Sequence, residues 1–118
     1  MKLNKIDHIG IAVKNIDEAL MVYKELGLEV DSIETIEDQK VKTAVINIGE
    51  SKIELLESTS PDGTIAKFIE KRGEGLHHLA LGVDNIAAAL KEVEEKNIPL
   101  IDKIPRKGVC DKYRVFAS

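Results

Sequence analysis

Two of the three histidines in this chain occupy the same point of a segment that occurs twice. Asp7-His8-Ile9-Gly10-Ile11-Ala12-Val13-Lys14-Asn15-Ile16 recurs, without a gap, as His77-His78-Leu79-Ala80-Leu81-Gly82-Val83-Asp84-Asn85-Ile86. His8 matches His78, Val13 matches Val83, Asn15 matches Asn85, and Ala19-Leu20 match Ala89-Leu90. Neutral imidazole offers a nitrogen lone pair and is a common ligand for divalent ions. A pseudo-two-fold axis between the repeats would bring His8 and His78 together across a shared cavity, so metal ligation is the chemistry this pair predicts. The alternative, two unrelated strand histidines with ordinary hydrogen bonds, leaves the shared register unexplained. His77 alternates to the helix-facing side, where it would be structural or support its neighbour.

A metal needs further ligands. In Lys52-Ile53-Glu54-Leu55-Leu56-Glu57, Glu54 lies opposite Ile53 and Leu55 in an otherwise apolar strand. A carboxylate on the inner face of a sheet is costly unless it is paired or metal-bound. An edge strand with Glu54 in solvent is the alternative. Glu57, nearer the strand end, reads as solvent-facing, and Glu25, Glu92, Glu94 and Glu95 read as solvated helix-surface charges. Other catalytic patterns are missing: there is no G-x-S-x-G, P-loop or dinucleotide glycine motif. Cys110 has no neighbour that would activate a thiol. No catalytic base emerges from these residues.

The elements that must position the ligands follow from periodicity. Ile9, Ile11 and Val13 alternate on one face of a strand, with His8, Gly10 and Ala12 on the other. Leu79, Leu81 and Val83 repeat this opposite His78, Ala80 and Gly82. The bulky faces suit packing under helices, and the small-residue faces suggest an open concave surface. Asn15 with Glu18 forms a capping-box pattern, Ile16, Ala19, Leu20, Tyr23 and Leu26 follow at helical spacing, and Gly27 supplies the stop. Asn85, Ile86, Ala89, Leu90 and Val93 repeat the helix. Strands are expected at about 29–36, 41–48 and 52–57, with a hairpin turn at Gly49-Glu50-Ser51. A short helix over 64–71 should follow. The second copy should continue with a strand near 99–104, and at most one more, Tyr113 to Phe116. This is an α+β plan within a single domain, 1–118: module one 1–60, a connecting helix within 61–73, module two 74–118.

Composition agrees with one globular domain. With 43% hydrophobic and 32% charged residues, the chain is not of the disordered class. A net charge of -4 argues against nucleic acid or an anionic membrane as partner. No apolar run approaches the ~20 residues of a membrane span, and Met1 to Asp7 has no signal-peptide core. One cysteine excludes an internal disulfide. The expected location is the cytoplasm.

Three stretches, Asp7-His8-Ile9-Gly10-Ile11-Ala12-Val13, Lys52-Ile53-Glu54-Leu55-Leu56 and Gly73-Glu74-Gly75-Leu76-His77-His78-Leu79-Ala80, resemble the methylmalonyl-CoA epimerases of the glyoxalase, or vicinal-oxygen-chelate, superfamily. The segment Ile65 to Gly73 is closer to the epimerases than to the superfamily at large. The resemblance runs from about Asp7 to Gly108. It implies paired βαβββ modules, a cupped sheet around one divalent metal (Co, Ni, Zn or Mn), and the ligand order His, Gln or Glu, His, Glu. The first three map onto His8, Glu54 and His78. The fourth belongs to a last strand with a Gly-Val-x-x-Glu-Leu context that has no match after Gly108, so module two is expected to be truncated or divergent there. The implied reaction inverts the carbon between a thioester and a carboxylate through a metal-stabilised enolate. Some relatives place a carboxylate base on the strand near Thr43, and Thr43 cannot replace it. Lactoylglutathione lyase, which shares the fold and accommodates Glu54, is the enzymatic alternative. A non-catalytic small-molecule binding protein of the same fold is another. The implied partners are a small-molecule thioester (acyl-CoA or a glutathione adduct) and a second copy in a homodimer.

Overall fold

The computed structural model describes residues 2–97 and the backbone of residues 112–116. The order is β1 (Leu3–Ala12), α1 (Ile16–Glu25), β2 (Val30–Ile36), a 3-10 turn (Glu37–Gln39), β3 (Val41–Ile48), β4 (Ser51–Ser58), α2 (Thr64–Arg72), β5 (Gly75–Val83), α3 (Ile86–Glu95) and β6 (Lys112–Phe116). The first module is the predicted β-α-β-β-β. The strand expected near 99–104 lies outside the described residues, as does Cys110.

The repeated caps form as the sequence predicts. Asn15 is extended, and its side-chain oxygen accepts the Glu18 N–H at 2.9 Å. Asn85 accepts the Ala88 N–H at 3.0 Å. Each satisfies a backbone donor that the first helical turn leaves unpaired. After α1 the chain turns away at Gly27, whose φ of 86° suits glycine. Glu57 departs from its predicted role in solvent. It is half-buried and accepts the Ile16 N–H at 2.7 Å, adding a carboxylate to the start of α1.

Among the described residues the six strands lie in one sheet, in the order β2-β3-β4-β1-β5-β6. β1 runs parallel to β4 and antiparallel to β5, so the β1·β5 ladder joins the two modules. Ile9 pairs with its own repeat equivalent, Leu79, and is flanked by the pairs His8–Ala80 and Gly10–His78. The pseudo-two-fold axis therefore passes between Ile9 and Leu79. β6 pairs antiparallel with β5, with Phe116 opposite His78.

The bulky side of the sheet packs under α1 and α3. Ile16 and Leu20 meet Val13, Ala44, Ile46 and Leu55 in one cluster, with Ile11 and Tyr23 at its margin. Ala89, Leu90 and Val93 meet Val83 and Leu81 in another. On the opposite side α2 lies across one end, where Ile65 packs with Ala12, Val41 and Leu56, and Phe68 and Ile69 lie against them.

The ladder between the modules is not regular. Ile6 pairs with Leu81 and His8 with Ala80, so Asp7 is an inserted residue. Gly10 pairs with His78 and Ile11 with Leu76, so His77 is inserted as well. Such bulges re-aim side chains. His77 is consequently not on the helix-facing side that strict alternation predicts. It lines the cavity beside His78, with its ring edge-on to Phe68 of α2, centroids 4.9 Å apart.

Candidate metal centre

Gly10 is the hub of the site. Its ladder partner on β4 is Glu54 and its partner on β5 is His78. His8 precedes it by two residues on the same strand. The ring of His78 fills the space above Gly10: a Cβ built there would stand 2.6 Å from Nε2, and nearer still to Cε1 and Nδ1. Three neighbouring strands thus deliver three candidate ligand groups around a residue without a side chain.

The structure brings all three predicted ligands together. His8 Nε2 is 3.0 Å from His78 Nε2 and 3.1 Å from Glu54 Oε2. One ligand atom from each residue lies within 4.8 Å of the others. Ligands about 2.1 Å from a central ion stand roughly 3.0 to 3.4 Å apart, so two of these separations already match. Both histidines are buried, while the Glu54 side chain is 21% exposed and reaches the open side.

The chemistry of the donors fits a divalent ion. The buried Asp7 carboxylate lies 2.8 Å from His8 Nδ1 and accepts its N–H, which leaves His8 Nε2 with a lone pair. That lone pair faces His78 Nε2. Two imidazole nitrogens at this separation need a proton or a cation between them, and Glu54 adds negative charge beside them.

The cluster opens into a cavity of about 560 Å³ lined by Val41, Thr43, Glu54, Leu56, His77 and His78. Thr43 is buried there, a hydroxyl rather than a carboxylate. Lys40 and Asp62 also border the cavity and form an exposed ion pair at 2.5 Å. Hydrogen bonding from the Lys40 ammonium, then from the Ser60 hydroxyl, lowers the Asp62 carboxyl from 3.8 to about 2. The sequence reading missed this pair because its partners are 22 residues apart and on separate loops. It also missed Asp7 as the partner of His8. No helix among the described residues is long and apolar enough to cross a membrane.

Comparison with known proteins follows the same lines. The sequence profile of the Glyoxalase/Bleomycin resistance protein/Dioxygenase superfamily matches residues 7–116, beyond the expected end of resemblance at Gly108. The uncharacterized Bacillus subtilis protein YqjC is 39% identical over 98% of this chain and 84% of its own length. Mouse mitochondrial methylmalonyl-CoA epimerase is 30% identical over 98% of this chain, which spans 66% of that relative's length. A solved methylmalonyl-CoA epimerase in complex with methylmalonyl-CoA and NH4+ superposes with a TM-score of 0.81 at 34% identity, covering 95% of this chain and 83% of that one.

Proposed function

We propose an enzymatic role from the premise that this chain belongs to the glyoxalase/bleomycin resistance protein/dioxygenase superfamily: it is an epimerase of 2-carboxylated acyl-CoA thioesters of the methylmalonyl-CoA kind, with His8, Glu54 and His78 as its metal ligands. The observation that carries this reading is the convergence of those three side chains around Gly10, at the end of a cavity, in a fold shared with methylmalonyl-CoA epimerases. The same relatives favour an acyl-CoA over the glutathione adduct of lactoylglutathione lyase.

A divalent ion held there supplies Lewis-acid stabilisation of the negative charge that develops when the carbon between thioester and carboxylate loses its proton. The chain's own residues prepare that step. Val41 and Leu56 give the cavity an apolar wall, which strengthens electrostatic interactions inside it. Asp7 keeps His8 in the tautomer whose Nε2 faces the cluster. Thr43 offers a hydrogen bond and not a base. The ionisable side chains lining the cavity, among the described residues, are Asp38, Lys40, Glu54, Asp62, His77 and His78. Lys40 and Asp62 are engaged with each other.

The test is hydrogen–deuterium exchange at C2 of methylmalonyl-CoA in deuterated water, with the chain reconstituted in turn with Co, Ni, Zn and Mn. Metal-dependent exchange is expected. Absence of exchange with every ion, together with turnover of the methylglyoxal–glutathione hemithioacetal, would move the assignment to the lyase.

A further inference from the structure

The two candidate ligand histidines are each preceded by an inserted residue, and each inserted residue reaches back to the Nδ1 of the histidine after it. Asp7 Oδ2 stands 2.8 Å from His8 Nδ1, and His77 Nδ1 stands 2.9 Å from His78 Nδ1. Asp7 and His77 are equivalent positions of the repeat, so the bulge and the contact it creates are both duplicated. Only the chemistry differs. A carboxylate accepts and never donates when ionised, whereas an imidazole nitrogen can do either.

We propose that His77 is a positioning residue: its Nδ1 accepts the Nδ1–H of His78, fixing the ring so that His78 Nε2 presents its lone pair to the metal. This rests on the reading of His8, Glu54 and His78 as ligands. A ligand histidine generally donates its second N–H to a fixed acceptor, and losing that acceptor typically costs about 10- to 100-fold in metal affinity. His77 is itself held from the far side. Its ring is edge-on to Phe68, at an interplanar angle of 80°, so α2 sets the direction of the accepting nitrogen. Through this contact the connecting helix acts on the site without supplying a ligand. On the other side Asp7, a buried carboxylate, does the same for His8. The two halves of the site are thus built alike and braced differently.

Two measurements decide the matter. In the Zn-loaded parent protein, long-range ¹H–¹⁵N correlation of the imidazoles reads the tautomers of His77 and His78 directly. The expected pattern is a protonated Nδ1 on His78 and a bare Nδ1 with protonated Nε2 on His77, and a protonated Nδ1 on His77 or a bare Nδ1 on His78 overturns the proposal. The second measurement is Co(II) affinity by competition titration, with the visible spectrum as signature. His77→Phe keeps a flat ring against Phe68 and removes the acceptor, so affinity should fall about 10- to 100-fold. His77→Asn places an amide oxygen near the position of Nδ1 and should recover most of the loss. Parent-like affinity in His77→Phe, or no recovery in His77→Asn, counts against the accepting role. If the parent itself binds neither ion, the proposed function falls and the positioning role of His77 falls with it, whereas metal binding by the parent with parent-like affinity in His77→Phe overturns the role of His77 alone.

Discussion

Gly10 and His78 are ladder partners across β1 and β5, and the imidazole ring occupies the volume that any side chain at position 10 would need. Gly10→Ala should therefore push His78 out of line with His8 and Glu54. Overpacking of this kind costs about 1 to 3 kcal/mol. The expected result is a folded protein with a lower melting temperature and little bound metal. Normal metal stoichiometry in this variant, by elemental analysis, would show that the ring has room to spare.

Removing a ligand nitrogen should empty the site without unfolding the chain, because His78 lines the cavity and neither histidine belongs to the clusters under α1 and α3. His8→Ala and His78→Ala should each lose most bound metal while keeping the circular dichroism of the parent. Full metal content in both variants would refute the ligand assignment.

Glu54 offers a graded case. Glu54→Gln keeps an oxygen at the same reach and should retain some metal, whereas Glu54→Leu should retain far less. Calorimetric titration with Zn or Co can rank the three proteins. Equal affinities would return Glu54 to the role of a polar residue at the cavity edge.

Lys40 and Asp62 predict a pH signature. The folded carboxyl titrates below its ordinary value, so what it contributes is present above about 3.8 and is lost as pH falls through about 2. NMR titration of the Asp62 carboxyl should give a midpoint near 2, returning toward 3.8 in Lys40→Ala. Because both groups are exposed, the effect of either substitution on overall stability should be small. An unmoved midpoint in Lys40→Ala would separate the two residues.

Leu55, next to Glu54 in sequence, points to the other side of the sheet and is fully buried. Leu55→Ala should cost about 2 to 5 kcal/mol in denaturant unfolding. Metal affinity, measured well inside the folded range, should stay near that of the parent. This would show that the two faces of β4 carry separable tasks.

Much of this arrangement was legible in the residues. The repeat located both histidines, the small-residue face located the cavity, and Asn15 and Asn85 located the helix starts, since each signal is local or periodic. What escaped was set by register between distant strands. Strict alternation cannot show that Asp7 and His77 are inserted, because an insertion is defined by the partner strand. That is why His77 was expected on the wrong face. Glu57 was misread for a similar reason, as its acceptor role depends on the start of α1, 41 positions away. The expected incompleteness of module two concerns residues outside those described, although β6 forms where a terminal strand was expected.

Among the described residues the modules are joined by the ladder of β1 and β5, and His8 and His78 stand on its opposite strands. Any fluctuation that parts β1 from β5 draws the two imidazoles apart in the same event. The survival time of the assembled site is therefore bounded by the opening rate of those backbone hydrogen bonds, so the ligands can prolong it only by holding the ladder shut. Amide exchange along β1 and β5 is in that sense a clock for the centre. An ion bound between the histidines would have to slow it.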